Sequence, residues 1–201
     1  MDSIDKLSKI LSQQRCTLLG IGPMSKNCVD AVADITNSFN IPLMLIASKR
    51  QIEAKRFGGG YVNNWTTESF SEYVKDIDKK NNIILCRDHG GPWQNSKGKS
   101  KEYGYNKAIE DAKKSYEADI CSDFKIIHID PSEFLGGKCN IEEMLPIIHE
   151  LYDTLKTMNK PKAFMETDRA HLRAFCEEDY TELVSMMSDL EVMKYTGFRS
   201  P

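Results

Sequence analysis

Ile83-Ile84-Leu85-Cys86-Arg87-Asp88-His89-Gly90-Gly91-Pro92-Trp93 is the stretch that decides the fold. Its apolar head is too short for a stable helix and the right length for a buried strand. A strand covered on both faces reads as continuous apolar sequence, which is the signature of a parallel sheet. The run ends abruptly in an acid, a histidine and two glycines. Titratable side chains at the carboxyl end of such a strand sit where α/β folds build active sites. Asp88 and His89 are therefore the first candidates for chemistry.

Working outward, the same alternation repeats. Residues 2–11 carry Ile4, Leu7, Ile10 and Leu11 at the spacing of a short amphipathic helix. A strand over 16–21 ends at Gly20-Ile21-Gly22-Pro23. A helix over 25–39 has Val29, Val32, Ala33 and Ile35 as its expected buried face, and a second strand covers 42–47. The glycine loop Phe57-Gly58-Gly59-Gly60-Tyr61 precedes a capped helix opening at Thr66-Thr67-Glu68-Ser69. Strand 83–86, helix 105–120, strand 124–129 and helix 141–158 complete the pattern, with Pro146 expected to shift or kink the last helix. Four strands alternating with helices imply a parallel sheet of βα units. A (β/α)₈ barrel needs roughly 250 residues, so four units ending near Asn159 make about half of one. A half-barrel leaves sheet edges that another chain or another copy has to cover.

Composition narrows the class. The 201 residues are 40% hydrophobic and 28% charged, as in an ordinary globular protein. A net charge of −3 gives no electrostatic footprint for nucleic acid or an anionic membrane. The six cysteines form no CxxC pair, which argues against a zinc knuckle or a disulfide framework; Cys86 and Cys121 read as reduced core thiols. With neither an apolar signal core nor a membrane-length apolar run, the expectation is a cytoplasmic protein.

Four blocks carry a resemblance. They are Leu19-Gly20-Ile21-Gly22, Leu45-Ile46-Ala47-Ser48 continuing to the glycine-tyrosine loop, Ile83 to Trp93, and Phe124 to Ser132. In order and spacing they resemble the non-catalytic subunit family of class II tagatose-bisphosphate aldolases, over residues 15–158. The sequence departs from that pattern at Ile46, where the family usually has an acid, and at Ser122-Asp123, where it has Ala-Gly. The glycine loop is also longer here, and the family's second barrel half is absent. A second resemblance begins at Met165. Residues 166–175, 177–179 and 188–193 look like the opening of a ribosomal-protein-type GNAT acetyltransferase. That family's pyrophosphate loop lies beyond this stretch, so acetyl-CoA binding is not expected. The expected organisation is a partial TIM-type barrel over 1–160 followed by a truncated GNAT-like segment over 165–201, as in a fusion or a truncated gene product.

The aldolase resemblance implies roles. In catalytic class II aldolases an Asp-His pair closes one strand. The histidine ligates Zn²⁺, a Lewis acid on the ketose carbonyl, and the aspartate moves a proton. Asp88 and His89 match that pair, with His89 as the metal ligand; the alternative is a hydrogen-bonded strand end. His128 and Asp130, at i and i+2, share a face if the strand continues. They point either into the site or to a buried Lys or Arg. Gly59 and its neighbours could approach a phosphate through backbone amides or serve as a flexible connector. Lys49, Arg50, Lys55 and Arg56 flank this loop and could attract a sugar phosphate, though a solvated basic loop is the commoner arrangement. Trp93 is placed to stack on a sugar ring or to cover the strand end. His149 and His171 read as structural.

The leading expectation is a supporting subunit in sugar-phosphate metabolism. It would act beside a catalytic aldolase subunit and self-associate through its open half-barrel, without catalysing alone. The alternatives are an acetyltransferase fragment and a non-enzymatic assembly module.

Overall fold

The computed structural model describes residues 3–13, 17–94, 103–135, 137–138, 140–158, 165–166 and 171–172. In chain order these form α1 (Ser3–Gln13), β1 (Gly20–Ile21), α2 (Lys26–Phe39), β2 (Leu43–Ser48), α3 (Thr67–Ile77), β3 (Ile83–Asp88), α4 (Tyr105–Cys121), β4 (Ile126–Ile127), β5 (Glu133–Phe134), β6 (Gly137–Lys138), α5 (Ile141–Met158), β7 (Met165–Glu166) and β8 (His171–Leu172).

Local chemistry sets the helix starts. Ser25 caps α2 by accepting the Cys28 amide, and α2 ends at Asn40 in the left-handed conformation. Thr66 and Ser69 form a capping box at α3. Asn140 and Glu143 bond reciprocally at the start of α5, which runs unbroken through Pro146.

The sheet order is β1-β2-β3-β4, every pair parallel. This order never reverses. The β2–β3 pairing is the long one, from Leu43↔Ile83 to Ser48↔Asp88. On one face Leu43, Leu45, Ile83 and Leu85 pack against Val29 and Val32 of α2 and Phe70 and Val74 of α3. On the other, Ile84 and Cys86 pack against Leu7 of α1. Coverage from both sides is what makes residues 83–86 continuously apolar, as read from the sequence. A further core joins α4 and α5 around Trp93.

Several expectations need correction. Ile35 is exposed, and Thr36 takes its place on the buried stripe, its hydroxyl donating to the Ala33 carbonyl. Spacing from Val29 through Val32 and Ala33 leads to position 36, not 35. Cys121 is exposed at the end of α4, whereas Cys86 is buried. The fourth strand spans only two residues, because the chain leaves the ladder after Ile127. The antiparallel pair β5–β6 was not expected. β7 and β8 pair antiparallel; the remainder of the acetyltransferase-like stretch lies outside the described residues, as does Cys16. No helix of the described residues is long and apolar enough to cross a membrane.

Candidate functional site

The register places the carboxyl ends of β2, β3 and β4 side by side. Ser48 pairs with Asp88, Arg87 with Ile127, and the His128 amide donates to the Arg87 carbonyl at 3.0 Å. Asp88 and His128 thus emerge as neighbours, with Asp88 Oδ1 3.2 Å from His128 Nδ1. His89 turns the chain in the left-handed region, with φ of 46°, a conformation that non-glycine residues adopt sparingly. The two glycines that follow are required by contact. A Cβ on Gly90 would lie 2.4 Å from the His128 carbonyl oxygen, and one on Gly91 only 1.4 Å from that of Asp130. The turn after β3 is pressed against the segment after β4, which brings Asp88, His89, His128 and Asp130 together.

Within this cluster Asp130 orients His89. Its Oδ2 lies 2.7 Å from His89 Nδ1 and also accepts from Gln94 Nε2 at 2.9 Å, while Oδ1 accepts the Ser132 amide. Burial works against the Asp130 charge. Hydrogen bonds from Ser132 and His89 outweigh it and hold the carboxyl below its ordinary range. An ionised Asp130 only accepts, so His89 Nδ1 carries a hydrogen. When the ring is neutral, Nε2 is its proton acceptor. That nitrogen lies 3.3 Å from Asp88 Oδ2, a contact that is a hydrogen bond when Nε2 is protonated, on a ring whose side chain is 55% exposed. A carboxylate-oriented imidazole at the open end of a sheet is equipped for acid–base work. His128 and Asp130 go to different partners, His128 to Asp88 and Asp130 to His89, and neither pairs with Lys or Arg among the described residues.

The resemblance implies a zinc ion at this strand end. Among the described residues no three His, Cys, Asp or Glu side chains converge to hold an ion, and catalytic zinc takes three protein ligands. The described residues do not make up that set.

Trp93 is buried, with φ of 59°. Its indole N–H donates to the Tyr103 carbonyl, and its ring packs on Phe134 and Tyr105. It also lines a cavity of about 230 Å³ shared with Lys49, Glu53 and Gly91. The Gly58, Gly59 and Gly60 amides donate to the Lys55, Ala54 and Trp65 carbonyls. The three amides thus close turns within the loop's own surroundings. Lys49 departs from the solvated-loop expectation, being 4% exposed.

Sequence reasoning gave Arg87, Gln94 and Asp119 no role and left Lys49 in a basic loop. Lys49, Arg87, Gln94 and Asp119 are all buried and hydrogen-bonded. The only signal was Arg87 itself, a cation inside an otherwise apolar strand, which demands a buried partner.

No protein-family model matches the chain, and no curated protein matches it. Among solved structures, that of a probable tagatose 6 phosphate kinase from Sinorhizobium meliloti 1021 is similar. The two share a TM-score of 0.63 at 19% sequence identity, over 85% of this chain and 43% of the other. The chain therefore spans less than half the length of that protein, and the likeness is one of fold.

Proposed function

We propose that this chain is a supporting subunit of sugar-phosphate metabolism, of the class II tagatose-bisphosphate aldolase type, and that Asp88, His89, His128 and Asp130 line its sugar-phosphate site. The observation that carries this reading is the Asp130–His89 pair at the carboxyl end of β3. It fixes an imidazole nitrogen at the place where parallel β/α folds bind substrates. The non-reversing strand order supports a singly wound barrel half over residues 1–160, since a doubly wound sheet reverses its order. The similar solved structure adds support, because its name carries a tagatose phosphate.

In this reading His89 Nε2 hydrogen-bonds a sugar hydroxyl, Asp130 holds the ring, and Asp88 with His128 brackets the same hydroxyls. Trp93 shapes the adjoining wall. β1 and β4 are the outer strands of the sheet, where a second copy or a catalytic aldolase subunit would complete it. Residues 165–201 are read as the start of an acetyltransferase-like segment.

The test is calorimetric titration of the full chain with tagatose 1,6-bisphosphate and tagatose 6-phosphate. Binding is expected, weakened roughly two- to tenfold in His89→Ala, the loss of one hydrogen bond of about 0.5–1.5 kcal/mol. Absence of heat with both ligands, together with no gain in rate or lifetime when the chain is added to a class II aldolase, overturns the proposal.

A further inference from the structure

Lys49 follows β2 directly, and its side chain turns inward. Nζ donates to the Gly91 carbonyl at 3.0 Å and lies 5.7 Å from the centroid of the Tyr116 ring. That is its one hydrogen bond among the described residues, although an ammonium has three N–H donors. The same side chain lines the cavity of about 230 Å³. Phe57, Pro92, Trp93 and Ala112 give the cavity apolar walls, and Glu53 and Asp111 are its acids. Arg56, half exposed in its ion pair with Glu117, supplies a cation.

We propose that Lys49 is a nucleophilic amine that forms a Schiff base with a small anionic aldehyde or ketone admitted to this cavity. Three observations favour this on different grounds. The amine needs to be unprotonated at neutral pH. Burial pushes the Lys49 ammonium below the ordinary lysine range; Glu53, Asp119 and Asp111 oppose this, and the Arg87 charge adds to it. Desolvation beside a second cation is a recognised way to activate a lysine. The space needs to suit a small molecule, and this cavity is below the lower end of drug-sized pockets, about 300 Å³. The departing oxygen needs a proton, and Glu53 is a carboxyl group on the same wall.

The step balances. The Lys49 nitrogen lone pair forms the C–N bond while the carbonyl π pair moves to oxygen. An N–H proton is transferred to that oxygen, giving the carbinolamine. The nitrogen lone pair then expels the oxygen, which takes a second proton by way of Glu53 and leaves as water. A protonated imine remains on Lys49. The inference goes beyond the sugar-phosphate reading and uses none of its four residues, so either stands if the other fails.

The test is reductive trapping on the full chain, with no partner present. The protein is incubated with pyruvate or with dihydroxyacetone phosphate, reduced with borohydride, digested and mapped by mass spectrometry. Hydride addition to the imine carbon leaves a stable secondary amine. The expected result is an adduct on Lys49, favoured at least about tenfold over the exposed Lys75, and lost in Lys49→Met and Lys49→Arg. No adduct with either probe, or adducts on surface lysines with Lys49 unmodified, overturns the inference. The peptide map of the unmutated chain decides the matter even where a variant fails to fold.

Discussion

Arg87 and Asp119 meet through two parallel contacts, Nε to Oδ2 at 2.8 Å and Nη2 to Oδ1 at 2.5 Å, and neither side chain is exposed. The other guanidinium donors reach the Ala47 and Ile52 carbonyls and the Thr67 hydroxyl. All five N–H groups are thus satisfied, and the cation lies over the Phe124 ring. One side chain joins β2, the loop after it, α3 and α4 beneath the candidate site. Arg87→Met strands the Asp119 carboxylate and is expected to destabilise the fold by about 3–5 kcal/mol. Arg87→Lys is expected to recover little of this, because an ammonium cannot reproduce the fork. Urea unfolding followed by circular dichroism measures both.

The close approach of the two post-strand segments gives a second expectation. Gly91→Ala puts a methyl against the Asp130 carbonyl and displaces the Gly91 carbonyl that Lys49 uses. The cost is expected to reach or exceed about 1–3 kcal/mol, the range for overpacking. Gly104 offers the contrast. It caps α4 without a side-chain bond, and a Cβ there meets nothing within 4 Å among the described residues. Gly104→Ser adds a capping hydroxyl and is expected to stabilise by roughly a few tenths of a kcal/mol. Equal thermal shifts for the two variants would refute the account of Gly91.

The difference between those glycines explains what was legible. Helix faces and strands follow from periodicity, so α2, α3, α4, α5 and the β2–β3 pair stand near their expected bounds. Asp88 and His89 were legible because strand ends in α/β folds carry chemistry. Lys49 was not, because a lysine after a strand is ordinarily solvated; only the fold of the loop through Gly60, against the Gln51 backbone, encloses that region. Nor was the split of His128 from Asp130. Alternation assumes a continuing strand, and β4 stops at Ile127.

Asp130 fixes the direction of a pH effect. Its folded-state carboxyl titrates below the ordinary aspartate value, which is about 3.9 in an unfolded chain. The stabilisation is therefore complete above that unfolded value and is lost as pH falls through the depressed folded one. Asp130→Asn is expected to flatten the fall in stability below about pH 4. It should also cost about 1–3 kcal/mol at neutral pH, by replacing a charged acceptor of His89 and Gln94. Unfolding free energies measured from pH 2 to 7 test the sign. An unchanged acid limb in the variant would show that Asp130 is not held ionised.

Cys86 reports on the sheet face covered by α1. It packs with Ile84 against Leu7, and burial pushes its thiol up to about 12. Only the thiolate is nucleophilic. Iodoacetamide at pH 8 should therefore label the exposed Cys121 promptly and leave Cys86 unmodified until the chain unfolds. Leu7→Ala removes the side chain that α1 buries on this face, at an expected cost of about 2–5 kcal/mol. If the cover is what protects the thiol, the variant's Cys86 labelling rate should rise at least about tenfold, through more frequent opening. Peptide mapping over a labelling time course measures both sites in one sample. Native Cys86 labelling as fast as Cys121 would mean that α1 does not seal the sheet face.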